Sequence, residues 1–397
     1  MAAPPKRAIE LFPSFLEYHD VQSMVQQMDD IKPSERQINI CFISLGGYLA
    51  FSRREEGVQG GSEVDIYMLS TELAKDKRFK VSLITGDFGQ NKVESFENVT
   101  IYKTARLSSP LKATVSIWRV MKEVNADIYF KKGASFVTAL AALFCRVKGK
   151  FFMLRTAQDI ECNGVYIREK WLRGKAFKWT LKQAKHVFVQ NNSNKSHLKE
   201  TTGISATVIP NGHRMISQTE RQRDFILWVG RSTRVKRPEL FVRLASENPS
   251  EQFVMICQQA GDDNDAAYRN LVEQAKLAAN LKFIERVPFL EIMGFFQRAK
   301  VFVNTSDTEG FPNVFIQSCL SGTPILSLNV NPDDFLNKYE CGLCAKGDWE
   351  IFREMLSELL RPDTMKLYGE NGREYAVKNH DIQNIIEKYK TIFAENT

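Results

Sequence analysis

The sequence predicts an α/β fold made of two doubly wound halves that face each other across a cleft. Three observations carry this expectation. From Ile38 onward, short β-branched or aromatic runs alternate with helical periods, the pattern of parallel strands joined by crossover helices. The alternation pauses in a polar stretch near Asn211 to Arg223 and then restarts. With 397 residues, 43% of them apolar and 25% charged, the chain can fill two cores.

Strands are expected at 38–45, 79–85, 98–104, 126–130, 150–155, 186–190 and 207–210 in the first half. In the second half they are expected at 225–230, 252–257, 281–284, 300–304 and 324–328. This gives an extension over 1–37, a first domain over 38–210, a second over 211–382, and a final helix over 383–397 that packs back toward the first domain. The longest apolar run, 134–152, is broken by Arg146, Lys148 and Lys150 and falls short of the ~20 residues a bilayer crossing needs. No transmembrane helix is therefore expected, and the first 36 residues lack the apolar centre and small-residue cleavage site of a secretory signal.

Seven scattered cysteines fit a reducing compartment better than a disulfide scaffold. Cys341 and Cys344 form a CxxC, but a zinc site needs two further ligands at suitable spacing, so CGLCA reads as a short strand after a turn. The five histidines show no ligand spacing either. The net charge of +7 is uneven: residues 1–210 hold 31 Lys and Arg against 21 Asp and Glu, while 211–397 hold 23 against 26. The first half is expected to meet something anionic.

Ligands of open parallel sheets bind beyond the carboxyl ends of the strands, and four loops there are unusual. After the first strand, Gly60-Gly61 precede Ser62, a good helix N-cap; the glycines allow close approach to a backbone whose amides point outward. VGRSTRVKRPEL, after 225–230, puts Arg231, Arg234, Lys236 and Arg237 in seven residues, a cluster suited to phosphate. In TSDTEGFPNVFIQ, Glu309 sits in a glycine turn before a helix that starts with Pro312. Such a helix start suits the distal end of a diphosphate, and a carboxylate beside it suits sugar hydroxyls. The loop ERVPFLEIMGFF leaves backbone near Val287 to read a nucleobase edge.

GGSE after the first strand, PNG at 210–212, GRxxxxK at 230–236, EGFPN at 309–313 and SGTP at 321–324 occur in this order. Together they resemble the retaining nucleotide-sugar glycosyltransferases of the GT-B fold, family 4 type, over most of the chain from Ile38. The resemblance implies two Rossmann-like domains, the first on the acceptor side and the second binding the nucleotide sugar. It implies that Arg231 and Lys236 hold the donor diphosphate and that Glu309 holds the donor sugar's hydroxyls. Gly60, Gly61, Val287, Gly310, Phe311, Pro312, Asn313, Val314 and Gln317 would complete the donor site.

Two departures stand out. The family's second acid, eight residues after the first, is Gln317 here; an amide can serve ribose hydroxyls but without charge. The histidine that many relatives carry after the strand corresponding to 150–155 is missing from RTAQDIECNG, which offers Arg155, Gln158 and Asp159 instead. Asp159 is expected near the acceptor. Retaining transfer on this fold is usually described as a front-face displacement in which the leaving phosphate helps deprotonate the acceptor. Neither metal nor cofactor is expected beyond the donor. The DxD within GDDND (261–265) reads as an acidic turn.

Residues 167–186 carry seven basic residues and one acid, with Arg168, Lys175, Lys178, Lys182 and Lys185 on one helical stripe beside Trp171 and Trp179. That face suits an anionic membrane or a lipid-phosphate acceptor, and the N-terminal extension adds a weaker amphipathic candidate. No motif supports nucleic acid. The function expected is sugar transfer from a nucleotide-diphosphate sugar to a hydroxyl of a saccharide or lipid-linked glycan, in cell-surface polysaccharide or glycolipid synthesis. Its expected setting is the cytoplasm, peripheral on the inner membrane face. The alternative is a catalytically silent nucleotide-sugar-binding subunit; a nucleotide-sugar epimerase is opposed by EGFPN.

Overall fold

A computed structural model describes residues 37–52, 60–105, 109–217, 222–260, 265–288 and 291–396. The amphipathic candidate in the N-terminal extension lies outside the described residues, as does all but Asp265 of the GDDND turn.

The first sheet has eight strands in the order β3-β4-β2-β1-β5-β6-β7-β8. They are β1 (Ile38–Ile43), β2 (Phe79–Thr85), β3 (Val93–Phe96), β4 (Val99–Lys103), β5 (Ile128–Lys132), β6 (Phe151–Arg155), β7 (His186–Val189) and β8 (Thr207–Val208). The second sheet is β11-β10-β9-β12-β13-β14, formed by β9 (Phe225–Arg231), β10 (Phe253–Gln258), β11 (Leu281–Ile284), β12 (Ala299–Asn304), β13 (Ile325–Ser327) and β14 (Gly342–Cys344). Every pairing is parallel except β3 with β4. Helices cover both faces, which is why the central strands are continuous apolar runs rather than alternating ones.

Each sheet has one place where successive strands depart in opposite directions: β1 lies between β2 and β5, and β9 lies between β10 and β12. Loops diverge from the carboxyl ends of such strands and leave a crevice. Gly46-Gly47 and Gly60-Gly61 follow β1, and the basic loop follows β9.

The helices used below are α1 (Gly61–Leu73), α2 (Pro110–Val124), α3 (Phe136–Lys148), α4 (Trp171–Gln183), α5 (Asn192–Thr202), α6 (Pro238–Glu247), α7 (Asn313–Leu320), α8 (Pro362–His380) and α9 (Ile382–Ala394). One face of the first sheet packs against α1 and α9 through Ile66, Leu69, Ile385, Ile386, Tyr389 and Phe393. The other packs against α2, α3 and α4 through Ile117, Met121, Ala141, Phe144, Phe177 and Leu181. Gln383 donates to Glu72 at 3.0 Å and Lys390 pairs with Asp76 at 3.0 Å, so both charged and apolar contacts hold α9 on the first sheet.

The structure adds one strand and corrects one local expectation. Val93–Phe96 is an edge strand, paired antiparallel with β4 through a two-residue turn in which Glu97 and Asn98 have φ of 48° and 64°. Its exposed, polar alternation in VESF hides it from an argument based on apolar runs. The basic segment is not one helix: the short helix Val165–Glu169 ends at Lys170 (φ −103°, ψ 64°), where α4 begins. The two helices meet so closely that a β-carbon on Gly174 would collide with the Ile167 backbone, so the stripe from Arg168 to Lys185 is broken. Trp179 is half-buried against the core, whereas Trp171 is exposed.

The described residues include no helix long and apolar enough to cross a membrane. All seven cysteines are free and buried. Among the described residues, no group of three His, Cys, Asp or Glu could hold a metal ion.

Candidate active site

The loops after β9 and β12 are stitched into one surface. Thr305 donates its hydroxyl to the Lys236 carbonyl at 2.7 Å and accepts from the Trp228 indole at 3.0 Å, while the Asp307 amide donates to the Val235 carbonyl at 2.9 Å. This brings Lys236 into an ion pair with Glu309, and Ser306 donates to the same carboxylate oxygen at 2.9 Å. The basic cluster is thereby sorted. Arg237 pairs with Glu239 at 2.9 Å and with Asp307 at 3.2 Å, so it faces away from the Lys236–Glu309 pair. Arg231 lies exposed at the end of β9, its guanidinium carbon 3.8 Å from where a Gly60 β-carbon would sit. A side chain at Gly60 would also meet the Glu63 carboxylate at 2.6 Å, so glycine here leaves Glu63 and Arg231 room on the loop.

The EGFPN turn is held from the first half of the chain. Gln190, just beyond β7, accepts from the Phe311 amide at 2.9 Å and donates to the Thr156 and Ala157 carbonyls at 3.2 and 3.1 Å. Asn211 donates to the Phe311 carbonyl at 3.2 Å and to the Asn313 side-chain oxygen at 2.7 Å. Both backbone groups of Phe311 are therefore occupied by protein, and its ring is buried against Phe335 and His380. Phe311 thus anchors the turn from within. Gly310 is glycine for a spatial reason, since a β-carbon there would stand 3.2 Å from the Ala157 carbonyl. Pro312 caps α7 and brings no N–H, so the outward amides at this helix start are those of Asn313 and Val314.

Behind the turn lies a buried polar relay. Asp65 on α1 pairs with Lys132 at 2.8 Å and with Arg155 at 3.4 Å. Arg155 donates to the Asn211 side-chain oxygen at 2.5 Å and to the Tyr389 hydroxyl on α9. Arginine can only donate, so it fixes which end of the Asn211 amide faces it. The other end must donate to Asn313, and the Asn313 amide nitrogen in turn donates to the Gly61 carbonyl at 2.9 Å. One direction of hydrogen bonding thus runs from the first sheet to the start of α7 and back to the glycine loop. Burial alone would raise the Asp65 carboxyl, yet Lys132 and Arg155 draw it below its ordinary value.

Asp333 supplies a second crossing. Its carboxylate accepts from the Asn192 and Ser193 amides at 2.8 Å each, from the Ser193 hydroxyl at 2.7 Å and from the Asn192 side chain at 3.2 Å. Asn191 caps the next amide of α5, Asn194, at 2.7 Å. Asp333 and Asp334 reach this position with φ of 52° and 56°, a conformation that aspartate adopts more readily than most residues.

Asp159 lies in the same region. Burial raises its carboxyl to about 7; the Asn194 amide offsets part of this, and Glu309 and Asp333 add to it. Its Oδ1 is buried without a hydrogen-bond partner, whereas Gln158 beside it is exposed. Because the folded value lies above the ~3.9 of a free Asp, wild type should lose stability relative to Asp159→Asn as pH rises from about 4 to about 7. The difference should then stay constant. Urea unfolding of both proteins across that range checks the sign, and a difference that does not change with pH refutes the environment described.

Gln317 is buried on α7, one turn beyond Asn313 and on the same face. Val287 is half-buried against the second core, close in sequence to the end of β11. Sequence reasoning missed Gln190, Asn211 and Asp333 as holders of the site. Gln190 and Asn211 were within reach, since both are polar residues closing predicted strands.

Comparison with known proteins extends this picture. Residues 59–214 match the family described as Glycosyltransferase Family 4, and residues 213–375 match Glycosyl transferases group 1. An Escherichia coli UDP-Gal:alpha-D-GlcNAc-diphosphoundecaprenol alpha-1,3-galactosyltransferase is 23% identical over 367 residues, which span 82% of this chain and 91% of that protein. A sucrose-phosphate synthase from Thermosynechococcus elongatus shares the fold with a TM-score of 0.74 at 17% identity, covering 90% of this chain and 99% of that one. Anabaena Alr3699/HepE, solved in complex with UDP-glucose, does so with a TM-score of 0.69 at 12% identity, covering 90% and 100%. The two family matches meet at the link between the sheets and together run from 59 to 375, so the chain belongs to the GT-B glycosyltransferases of the family 4 type.

Proposed function

We propose that the protein transfers a sugar, with retention of anomeric configuration, from a nucleotide-diphosphate sugar to a hydroxyl of a saccharide or lipid-linked glycan. The observation that carries this reading is the convergence of Arg231, Lys236, Glu309 and the first amides of α7 at the carboxyl ends of β9 and β12. Breaking the anomeric C–O bond puts negative charge on the departing diphosphate and positive charge on the sugar. Fixed cations and helix-start amides stabilise that charge more in the transition state than in the ground state.

In this reading Arg231, Lys236 and the Asn313 and Val314 amides hold the diphosphate. Glu309 accepts from the donor sugar's hydroxyls, Gln317 serves the ribose, and backbone at Val287 meets the base. Gly60 and Gly61 let the diphosphate approach. The leaving phosphate takes the acceptor's proton, and Asp159 stands on the acceptor side. Charge compensation by these side chains asks for no metal. The E. coli relative acts on a diphosphoundecaprenol-linked acceptor by its name, which supports a lipid-linked glycan and a role in cell-surface polysaccharide or glycolipid synthesis. A cytoplasmic position at the inner membrane face follows from that acceptor and from the basic surface of 167–186.

Heat-shift measurement against UDP-, GDP- and ADP-sugars should show one class raising the melting point, since a ligand at a hundred times its Kd stabilises by about 2.7 kcal/mol. The transferred sugar should keep the donor's anomeric configuration by NMR. No shift with any nucleotide sugar defeats the donor assignment, and an inverted product defeats retention.

A further inference from the structure

Helix α5 runs alongside the loop that follows β6. Thr201 on α5 donates to the Cys162 carbonyl at 2.7 Å, and Gln190, two residues before α5, donates to the Thr156 and Ala157 carbonyls. That loop carries Asp159, so the first turn of α5 lies against it. There Asn194 is 1% exposed. Its backbone amide is capped by Asn191, and Asp333 takes the two amides before it, so the helix start has no use for its side chain. An asparagine set in a helix and cut off from water is costly unless its amide is used.

The use lies across the gap. The Asn194 side chain faces the Asp159 carboxyl, and its Nδ2 and the Asp159 Oδ1 are both buried without a hydrogen-bond partner. Buried polar groups are nearly always bonded, so a donor and an acceptor that face each other without closing their bond need an explanation. Asp159 as a whole is only half-buried, which leaves Oδ2 as the oxygen open to the cleft. Glu309, from the loop after β12, and Asp333, from the loop after β13, both oppose its charge. Glu309 is committed to Lys236 and Ser306, and Asp333 to the start of α5. Cys162 is the titratable neighbour on its own loop. Of these groups, only the Asn194 amide favours the carboxylate.

We propose that Asn194 is a positioning residue for the transfer: it grips Asp159 by Oδ1 and so presents Oδ2 to the acceptor's attacking hydroxyl. The inference rests on the placement of Asp159 on the acceptor side. A hydroxyl bonds more strongly to a carboxylate than to a neutral acid, and that bond aims its oxygen at the anomeric carbon. The acceptor oxygen joins the anomeric carbon as the bond to phosphate breaks, and the proton passes to the phosphate. Asp159 therefore ends the turnover as it began.

Carbon NMR of the side-chain carboxyls in the full chain tests the grip without any substrate, with the Asp159 signal assigned by its loss in Asp159→Asn. Its titration should lie at about 7 in wild type and higher in Asn194→Ala. Asn194→Asp, which keeps the shape but withdraws the donor, should raise it too and serves if the alanine variant fails to fold. With the nucleotide sugar chosen by heat shift and octyl glycosides as acceptor probes, Asn194→Ala should lower kcat/KM for the acceptor about tenfold. The donor KM should change less than about twofold. The acid limb of the acceptor profile should move to higher pH in Asn194→Ala and vanish in Asp159→Asn, where adding Asn194→Ala should cost less than about twofold more. A titration that neither Asn194 variant moves, or equal losses toward donor and acceptor, overturns the proposal. If no octyl glycoside accepts sugar, the NMR comparison decides alone. Failure of every nucleotide sugar to shift the melting point strikes the sugar-transfer reading and leaves the NMR result standing.

Discussion

Glu309→Ala and Lys236→Ala should each lower turnover at least ~100-fold, the size seen when a preorganised charge contact is removed from a transition state. The two residues pair with each other in the structure, so each holds the other in position as well as serving the donor. The double variant should therefore lose far less than the product of the two single losses. Stability should hardly change, because both side chains reach solvent and a partly exposed pair contributes little. Steady-state rates with the donor found by heat shift, alongside urea unfolding, separate the two effects. Near-normal turnover in both single variants, with the fold intact, removes this site from the chemistry.

Asp65→Asn should destabilise the protein by about 3–5 kcal/mol, the loss expected when one partner of a buried ion pair is removed. The substitution keeps the shape but leaves Lys132 and Arg155 buried together without a counter-charge. Arg155 also orients Asn211 and holds Tyr389, so the disturbance should spread to the start of α7 and to the seating of α9. The comparison is Glu123→Gln, which breaks the exposed pair with Lys92 and should cost about 1 kcal/mol or less. Urea unfolding decides, and a loss below ~1 kcal/mol for Asp65→Asn would show that the relay is not charged as described.

Much of this was legible in the sequence for a physical reason. Parallel strands buried on both faces read as near-continuous apolar runs, so FILWVG and KVFVN fall within one residue of β9 and β12. The loops beyond the strands announce themselves because glycine and clustered cations are costly without a purpose. What stayed hidden depends on contacts between residues far apart in the chain. Gln190 meets Phe311 across 121 positions and Asp333 meets Asn192 across 141, and no local pattern encodes either meeting. The same holds for Arg237, one of four neighbouring cations until Asp307 and Glu239 claim it. The edge strand Val93–Phe96 escaped because a solvated strand carries no apolar signature.

The bonds from Asp333 to the start of α5 bear on how the enzyme cycles. A helix whose first amides are stopped by an acid borrowed from the opposite lobe cannot keep that stopper when the lobes part. Any parting of the two sheets would hand those amides to water, so position 333 bears on how firmly the lobes are latched without touching any reacting atom.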